Sequence, residues 1–542
     1  MNRLSSAWNP SRRLVAIGPV KLGRMVRKGP MQIHWRFVKN AVANLGRGSA
    51  AAVVALLLPP LLVRHMTATS YAVWVLVLQT AAYVSYLNFG LQTAIGRYVA
   101  FAKEKGDVDL RDSIFSTAFA GLCGAALVSL ICLAGAAAAI PELFPSIPGF
   151  FVSQMRIALL IVGFSTAAEL PASAWNGVFV GMERYDVPAL TVGSARLLSA
   201  LGVIAAALTG RSIVVMATAM AAANLISYLA QYLALRRAAP DVRFHPHMVR
   251  RSTARELYGY CLGLTVFAFS TFLITGLDLL LVGRFQFSMV TPYSVSASMI
   301  VLIAGLLGAI INVILPHSAA LHARQKSDAL GKLVISSTRL GVLLLILTGI
   351  PILIYAGPIL RLWIGPQYVP AGAPVLAILV IANIIRLVGL PYSVILVAAG
   401  QQRYIMISPL AEGFSNLVAS VVLGMLFGGI GVALGTLFGS FVSIAAHLWY
   451  SMPRTKAAIG FCRRDFLKSG LLFPALCTSP LLAVAFASLR GLDVGAPVVA
   501  LAMTLSIVAA VLLMRSAKEG HNPRDQDSGF PQGDVGLHDA PN

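Results

Sequence analysis

The sequence predicts an all-α polytopic membrane protein with about 14 transmembrane helices, in two parallel six-helix halves followed by two extra C-terminal helices. Of its 542 residues, 58% are hydrophobic and only 11% are charged, whereas soluble domains carry about 25% charged residues. Apolar runs of about 20 residues, the length that spans a bilayer, recur along the whole chain. Basic residues fall between these runs. This composition excludes soluble enzymes, secreted domains, fibrous proteins and disordered chains.

Fourteen apolar runs are long enough to be transmembrane helices. Alternating patterns of about ten residues, which are typical of β-barrel strands, are absent. The predicted helices cover residues 43–63, 71–96, 113–137, 155–181, 187–208, 212–235, 257–283, 293–315, 333–355, 371–398, 404–426, 430–449, 469–488 and 494–514.

The distribution of basic residues predicts the orientation. With a cytoplasmic N-terminus, 33 of the 42 Lys and Arg residues lie on the inner side and three lie within spans. An odd number of helices would destroy this asymmetry, so both termini are expected in the cytoplasm. The net charge of +22 is then explained by membrane insertion and lipid headgroups, and no nucleic-acid partner is expected. The six outer arginines are Arg64, Arg156, Arg211, Arg284, Arg361 and Arg490.

The spans and the polar segments between them divide the chain into six parts. They are a basic cytoplasmic tail at 1–37, an N-terminal six-helix half at 38–236, a basic cytoplasmic linker at 237–256, a C-terminal six-helix half at 257–450, a linker with helices 13 and 14 at 451–514, and a polar cytoplasmic tail at 515–542.

The division into halves depends on an internal repeat. Residues 169–190 read ELPASAWNGVFVGMERYDVPAL, and residues 389–410 read GLPYSVILVAAGQQRYIMISPL. Their Gly-x-x-Arg-Tyr pieces are 219 residues apart, and Leu-Leu-Val recurs at the same offset, shortly before Arg64 and shortly before Arg284. Chance matching of common apolar residues is the alternative. A true repeat of six helices gives two halves of equal orientation, related by an axis along the membrane normal, as in many transporters.

No motif in the sequence indicates catalysis. The predicted outer loops are short, and there is no zinc-protease motif, paired-cysteine motif or nucleotide-binding loop. The single Asp107-x-Asp109 pair is read as a solvated loop rather than a metal site for glycosyl transfer. The sequence therefore predicts a protein that is not an enzyme, with no catalytic residue, metal site or cofactor.

Charged residues within the spans are the candidate functional groups. A charge at the centre of a bilayer costs about 2.5–3.5 kcal/mol on insertion scales, so such residues usually face a cavity or a partner. Structural ion pairing is the alternative reading. Glu412, Asn416 and Ser420 recur every four residues and form one polar stripe, read equally well as helix packing or as cavity lining. The intramembrane charges are Glu169, Arg196, Asp278, Arg339, Arg386 and Glu412.

Several motifs over residues 38–450 together resemble Wzx-type polysaccharide flippases of the multidrug/oligosaccharidyl-lipid/polysaccharide exporter superfamily. Each motif is weak alone, but their order along the chain agrees throughout. They are Leu58-Pro59, Asn88-Phe89-Gly90-Leu91, Gly181-Met182-Glu183-Arg184-Tyr185, Leu362-Trp363-Ile364-Gly365 and Glu412-Gly413-x-x-Asn416.

The resemblance implies a multi-pass protein of the bacterial inner membrane that flips an undecaprenyl-pyrophosphate-linked oligosaccharide for exopolysaccharide or O-antigen (lipopolysaccharide) biosynthesis. Carried onto this chain, it implies Arg47, Asn88 and Arg97 as substrate-binding residues and Asp278 as the site of a coupling ion or proton. It also implies membrane lipids, a polysaccharide polymerase and a chain-length regulator as partners. A cation-coupled drug exporter of the same superfamily is the first alternative, and a membrane polysaccharide polymerase or ligase is the second.

Overall fold

The computed structural model describes residues 54, 56–492 and 494–519. Over these residues the chain is almost entirely helical and forms no strand. Ten of the described helices are long and apolar enough to cross a membrane, or eleven if one bent pair counts as a single span. The predicted all-α polytopic membrane fold is therefore confirmed.

The count differs from fourteen for identifiable reasons. The predicted first helix begins outside the described residues, the predicted eleventh and twelfth are counted together because only Gly428 separates them, the thirteenth is bent by 69°, and the apolar stretch of the fourteenth is described over Ala496–Leu512. We number the helices α1 (Leu56–His65), α2 (Ala68–Lys105), α3 (Val108–Ala138), α4 (Gly149–Gly181), α5 (Asp186–Leu208), α6 (Ile213–Ala238), α7 (Arg251–Phe285), α8 (Phe287–Ile311), α9 (Ser327–Ile354), α10 (Pro366–Ala398), α11 (403–427), α12 (429–459), α13 (Arg463–Cys477 with Ser479–Leu489) and α14 (Ala496–Glu519).

Helices α11 and α12 form a tight antiparallel hairpin. Gly428 has φ 59° and ψ −136°, and at this residue the chain reverses. A Cβ atom on Gly435 would lie 2.5 Å from the backbone nitrogen of Ser420, so only glycine permits this approach. Glycines at positions 431, 435 and 439 repeat every four residues, the spacing of small residues at membrane helix interfaces. The polar stripe on α11 packs against them, and its residues are buried, which favours the packing interpretation.

Two helices that the sequence predicts as continuous are interrupted. In α2, a 3₁₀ segment at Tyr83–Asn88 is followed by two residues with left-handed backbone, Phe89 and Gly90. In α7, a π-helical turn at Phe272–Gly276 precedes a new α-helical segment that begins at Asp278. Such turns occur preferentially at functional sites because they redirect side chains and release backbone carbonyls.

The helices pack in two groups, α2–α6 and α7–α12, which meet through a few elements. Helix α2 contacts α7 and α8, and α3 contacts α7. Helices α13 and α14 pack against the second group at α9, where Arg339 Nε donates to Ser469 O at 2.7 Å and its guanidinium lies over the Phe473 ring. Residues 1–53 and 520–542, which include most of the two predicted tails, lie outside the described residues.

Candidate functional site

A cavity of about 850 Å³ lies where the two helix groups meet. Helices α1 and α2 form one wall, and α7, α8, α10 and α12 form the other. The α1–α2 wall is mainly apolar and aromatic. Gln79 contributes a side-chain amide to it. Its apolar members are Leu58, Pro59, Leu62, Tyr71, Trp74, Val75 and Leu78.

The opposite wall mixes apolar residues such as Leu279, Ile300 and Leu379 with polar ones, and it contains the carboxylate of Asp278. This carboxylate is 8% exposed and is the first residue of the α-helical segment that follows the π turn of α7. Its Oδ2 atom accepts hydrogen bonds from Thr436 Oγ1 at 3.2 Å and from Tyr293 OH at 3.3 Å. Three helices of the C-terminal group, α7, α8 and α12, therefore hold one carboxylate at the edge of the cavity.

Arg386 on α10 is the cationic residue of the described cavity lining. It donates a hydrogen bond to Asn383 Oδ1, and its Nε atom lies 3.8 Å from Glu412 Oε1 on α11. Glu412 is buried and does not line the cavity. Arg386 therefore presents its positive charge to the cavity, and the negative charge of Glu412 lies buried on the side of Arg386 away from the cavity.

The break in α7 is held by side chains from both helix groups. From α2, Gln79 Nε2 donates to Gly276 O at 2.9 Å, and the Tyr83 hydroxyl donates to the same carbonyl. From α11, Asn416 Nδ2 donates to Ile274 O at 2.7 Å. A backbone carbonyl freed inside a membrane must find such a partner, because no lipid can supply one. The site of Asp278 thus depends on contacts from both groups.

The three predicted substrate-binding residues lie in different surroundings. Asn88 donates to Ser173 Oγ at 3.1 Å and accepts from the Gln92 N–H at 3.2 Å, so its amide fixes the interruption of α2 against α4. Arg97 is exposed, and its guanidinium lies 4.7 Å from the ring centroid of Tyr260 on α7. Neither lines the 850 Å³ cavity. Arg47 lies outside the described residues.

The remaining intramembrane charges divide between the halves. Glu169 on α4 and Arg196 on α5 are exposed on the surface of the N-terminal helix group and are absent from the cavity lining. Within residues 56–492 and 494–519, Arg386–Glu412 is the ion pair formed by intramembrane charges. Asp278 and Arg284, which lie six residues apart on α7, do not pair, since Arg284 Nη1 donates to Glu142 O at 2.7 Å.

Sequence reasoning missed most of the polar residues that surround Asp278. Tyr293, Asn383 and Thr436 lie in largely apolar spans, and they reach the site from three different helices. A lone amide such as Asn383 or Gln79 inside a span is a usable signal, because its burial requires a partner. Thr436 gives no such signal, since a threonine also satisfies its hydroxyl through its own helix.

The cytoplasmic end of the interface between the helix groups is basic. An open groove at the start of α7 is lined by Arg251, Arg255 and Tyr258. Arg97 lies close by, since Tyr98 and Tyr260 pack edge to face with centroids 6.0 Å apart. With the orientation that the charge distribution predicts, this basic surface would lie at the inner membrane interface.

No protein-family model matches the chain. The uncharacterized membrane protein EpsK of Bacillus subtilis (strain 168) is 22% identical over 444 residues, which cover 81% of this chain and 86% of EpsK. Lipid II flippase MurJ, solved in an inward closed conformation, superposes with a TM-score of 0.67 at 14% identity, covering 89% of this chain and 99% of MurJ. An inward-facing multidrug resistance MATE family transporter of the MOP superfamily superposes with a TM-score of 0.60 at 15% identity, covering 75% of this chain and 94% of the transporter. The chain therefore has the fold of the MOP superfamily, as its resemblance to that superfamily predicts.

Proposed function

We propose that this protein flips an undecaprenyl-pyrophosphate-linked oligosaccharide across the bacterial inner membrane by alternating access between its two six-helix halves. The observation that carries the proposal is the cavity between the helix groups, which combines apolar and aromatic residues with a carboxylate and a guanidinium. Such a cavity suits an amphiphile whose polar head must cross the membrane while its lipid chain stays in the bilayer. The fold shared with MurJ supports a lipid-linked substrate.

The substrate carries a pyrophosphate, for which arginine is the suitable protein group. Its planar guanidinium can donate two parallel hydrogen bonds to phosphate oxygens. Arg97 at the inner end of the interface would meet the pyrophosphate first, together with Arg47, and Arg386 would face it within the cavity. Asn88 would contribute by fixing the interruption of α2, which lies between the cavity-lining residues of this helix and Arg97.

Asp278 is the proposed coupling site. Its carboxylate and the hydroxyls of Thr436 and Tyr293, which donate to it, provide a set of oxygen atoms inside the membrane. A proton or a small hard cation is the ligand that such a set would bind. Flipping would then be driven by the ion gradient, in keeping with a sequence that lacks a nucleotide-binding motif.

The proposed cellular role is exopolysaccharide or O-antigen biosynthesis. A polysaccharide polymerase and a chain-length regulator would act on the substrate after it reaches the outer leaflet, and both termini of the flippase would remain in the cytoplasm. Deleting the gene is expected to trap lipid-linked oligosaccharide in the inner leaflet and to reduce surface polymer. Normal delivery of unpolymerised oligosaccharide to the periplasm would count against flipping.

A cation-coupled drug exporter is the second candidate. It is favoured by one observation, the placement of a carboxylate opposite the aromatic residues Tyr71 and Trp74 in a largely apolar cavity. Proteoliposomes separate the two candidates: with fluorescent lipid-linked oligosaccharide in one arm and a fluorescent lipophilic cation in the other, a flippase accelerates only the first. Acceleration of the second alone would replace our proposal with drug export.

A further inference from the structure

Two outer arginines each connect one half of the chain to the other. Arg64 lies in the last turn of α1 and donates through Nη2 to Leu362 O at 2.7 Å and to Trp363 O at 3.3 Å. These carbonyls end the short helix Ala356–Trp363, which lies in the loop between α9 and α10. A positive charge at the C-terminal end of a helix is favoured because the last carbonyls there have no partners within the helix.

Arg284 makes the reciprocal contact. It lies at the end of α7 and donates through Nη1 to Glu142 O at 2.7 Å. Glu142 belongs to the short helix Ile140–Leu143, in the loop between α3 and α4. Next to this contact, a Cβ on Gly283 would lie 3.0 Å from the Phe144 ring, so the backbone of α7 is already in close contact with that loop.

The two contacts are related by the internal repeat. Arg64 and Arg284 each follow a Leu-Leu-Val sequence, at the ends of α1 and α7, which are the first helices of the two halves. Each reaches the loop between the third and fourth helices of the opposite half. Arg64 and Arg284 are two of the six arginines that the charge distribution assigns to the outer face of the membrane. The reciprocity therefore gives two equivalent links across the outer side of the cavity.

Arg156 provides a comparison within the same face. It donates through Nε to Ala137 O at 3.0 Å and through Nη2 to Ala138 O at 3.1 Å. These carbonyls belong to the C-terminal end of α3, so the contact stays within the N-terminal helix group. The chemistry matches that of Arg64 and Arg284, but this contact need not break when the halves separate.

We infer that Arg64 and Arg284 form a pair of gating residues that close the outer side of the cavity and must release their carbonyls when the cavity opens outward. This inference rests on the alternating access proposed above, but not on the identity of the substrate. Removing either guanidinium is expected to shift the resting population toward outward-open conformations, because the donor stabilises only the outwardly closed arrangement.

The test measures accessibility rather than transport. Ser298, which lines the cavity on α8, is replaced by cysteine in a protein whose five native cysteines have been removed, and a membrane-impermeant thiol reagent is added from outside. Arg64→Gln and Arg284→Gln are each expected to raise the labelling rate about fivefold, the factor that corresponds to one hydrogen bond of ordinary net strength. The double variant is expected to raise it about 25-fold if the links are independent.

Arg156→Gln is the matched control and is expected to leave the labelling rate unchanged. An unchanged rate in the double variant would overturn the gating role, and so would an equal increase in Arg156→Gln, since that would indicate general loosening of the outer loops. Because the readout does not involve substrate, a failure of lipid flipping leaves this result interpretable. Conversely, unchanged labelling beside active flipping would reject only the gate.

Discussion

The two halves contribute different chemistry to one cavity. The N-terminal wall offers one amide, Gln79, among apolar and aromatic side chains, whereas the C-terminal wall combines apolar residues with a carboxylate, a guanidinium, an amide and hydroxyls. The intramembrane charges also differ between the halves: Arg386 lines the cavity and is paired with the buried Glu412, whereas Glu169 and Arg196 are exposed on their helix group and do not line the cavity. The two halves of a repeat can thus keep the same arrangement of helices while, within the described residues, only one half supplies charged residues to the cavity.

This comparison predicts that the same substitution has unequal effects in the two halves. Glu412→Gln removes the buried counter-charge of Arg386 and is expected to destabilise the protein by about 3 kcal/mol, since it leaves a cation without its partner. Glu169→Gln, in the N-terminal half, is expected to change stability by less than Glu412→Gln, because Glu169 is exposed and forms no salt bridge within the described part of the chain. Unfolding by denaturant in detergent measures both, and equal effects would remove the proposed asymmetry.

A pair of glycine substitutions sharpens the comparison at the level of packing. Gly435→Ala places a Cβ against the backbone of Ser420 in the α11–α12 hairpin and is expected to cost about 2 kcal/mol. Gly193→Ala on α5 meets no atom within 4 Å and is expected to stabilise its helix by up to about 1 kcal/mol. The two thermal midpoints should move in opposite directions, and a harmless Gly435→Ala would show that the hairpin is looser than described.

A smaller effect is expected for the arginines outside the cavity. Arg97→Ala should slow flipping about tenfold at every pH, because arginine stays charged throughout and a charge-assisted hydrogen bond contributes about 1.5 kcal/mol. Arg97→Lys should recover part of the rate, since lysine keeps the charge but loses the planar fork. Arg196→Ala, on the outward surface of α5, serves as the control in the reconstituted assay. Loss of flipping in that control would place the substrate path elsewhere.

The sequence predicts the helices far better than it predicts the site. Long apolar runs suffice for α2 to α10, because the bilayer demands about 20 such residues whatever their neighbours are. The π turn before Asp278 could not be foreseen, since it is stabilised by Asn416 and Gln79, which come from distant parts of the chain. By contrast, the four-residue spacing of the glycines at 431, 435 and 439 indicates the close helix packing found in the α11–α12 hairpin.

Only some of the predicted site residues line the cavity, because tertiary packing decides where a polar side chain finds its partner. Asp278 and Arg386 are unusual in any span, and both line the cavity. Asn88 is equally unusual, yet its amide is used within its own helix group. Composition identifies which polar groups need a partner, but whether that partner is a ligand or another helix depends on tertiary packing.

The central claim is that the C-terminal wall couples ion movement to lipid flipping through Asp278. Flipping of a fluorescent lipid-linked oligosaccharide by proteoliposomes, measured across pH and sodium concentration and normalised to inserted protein, tests it most directly. We expect Asp278→Asn to insert normally and to lose the dependence of its rate on pH or sodium, while Glu169→Gln in the other half retains the wild-type profile. An Asp278→Asn profile that superposes on that of the wild type would contradict the claim.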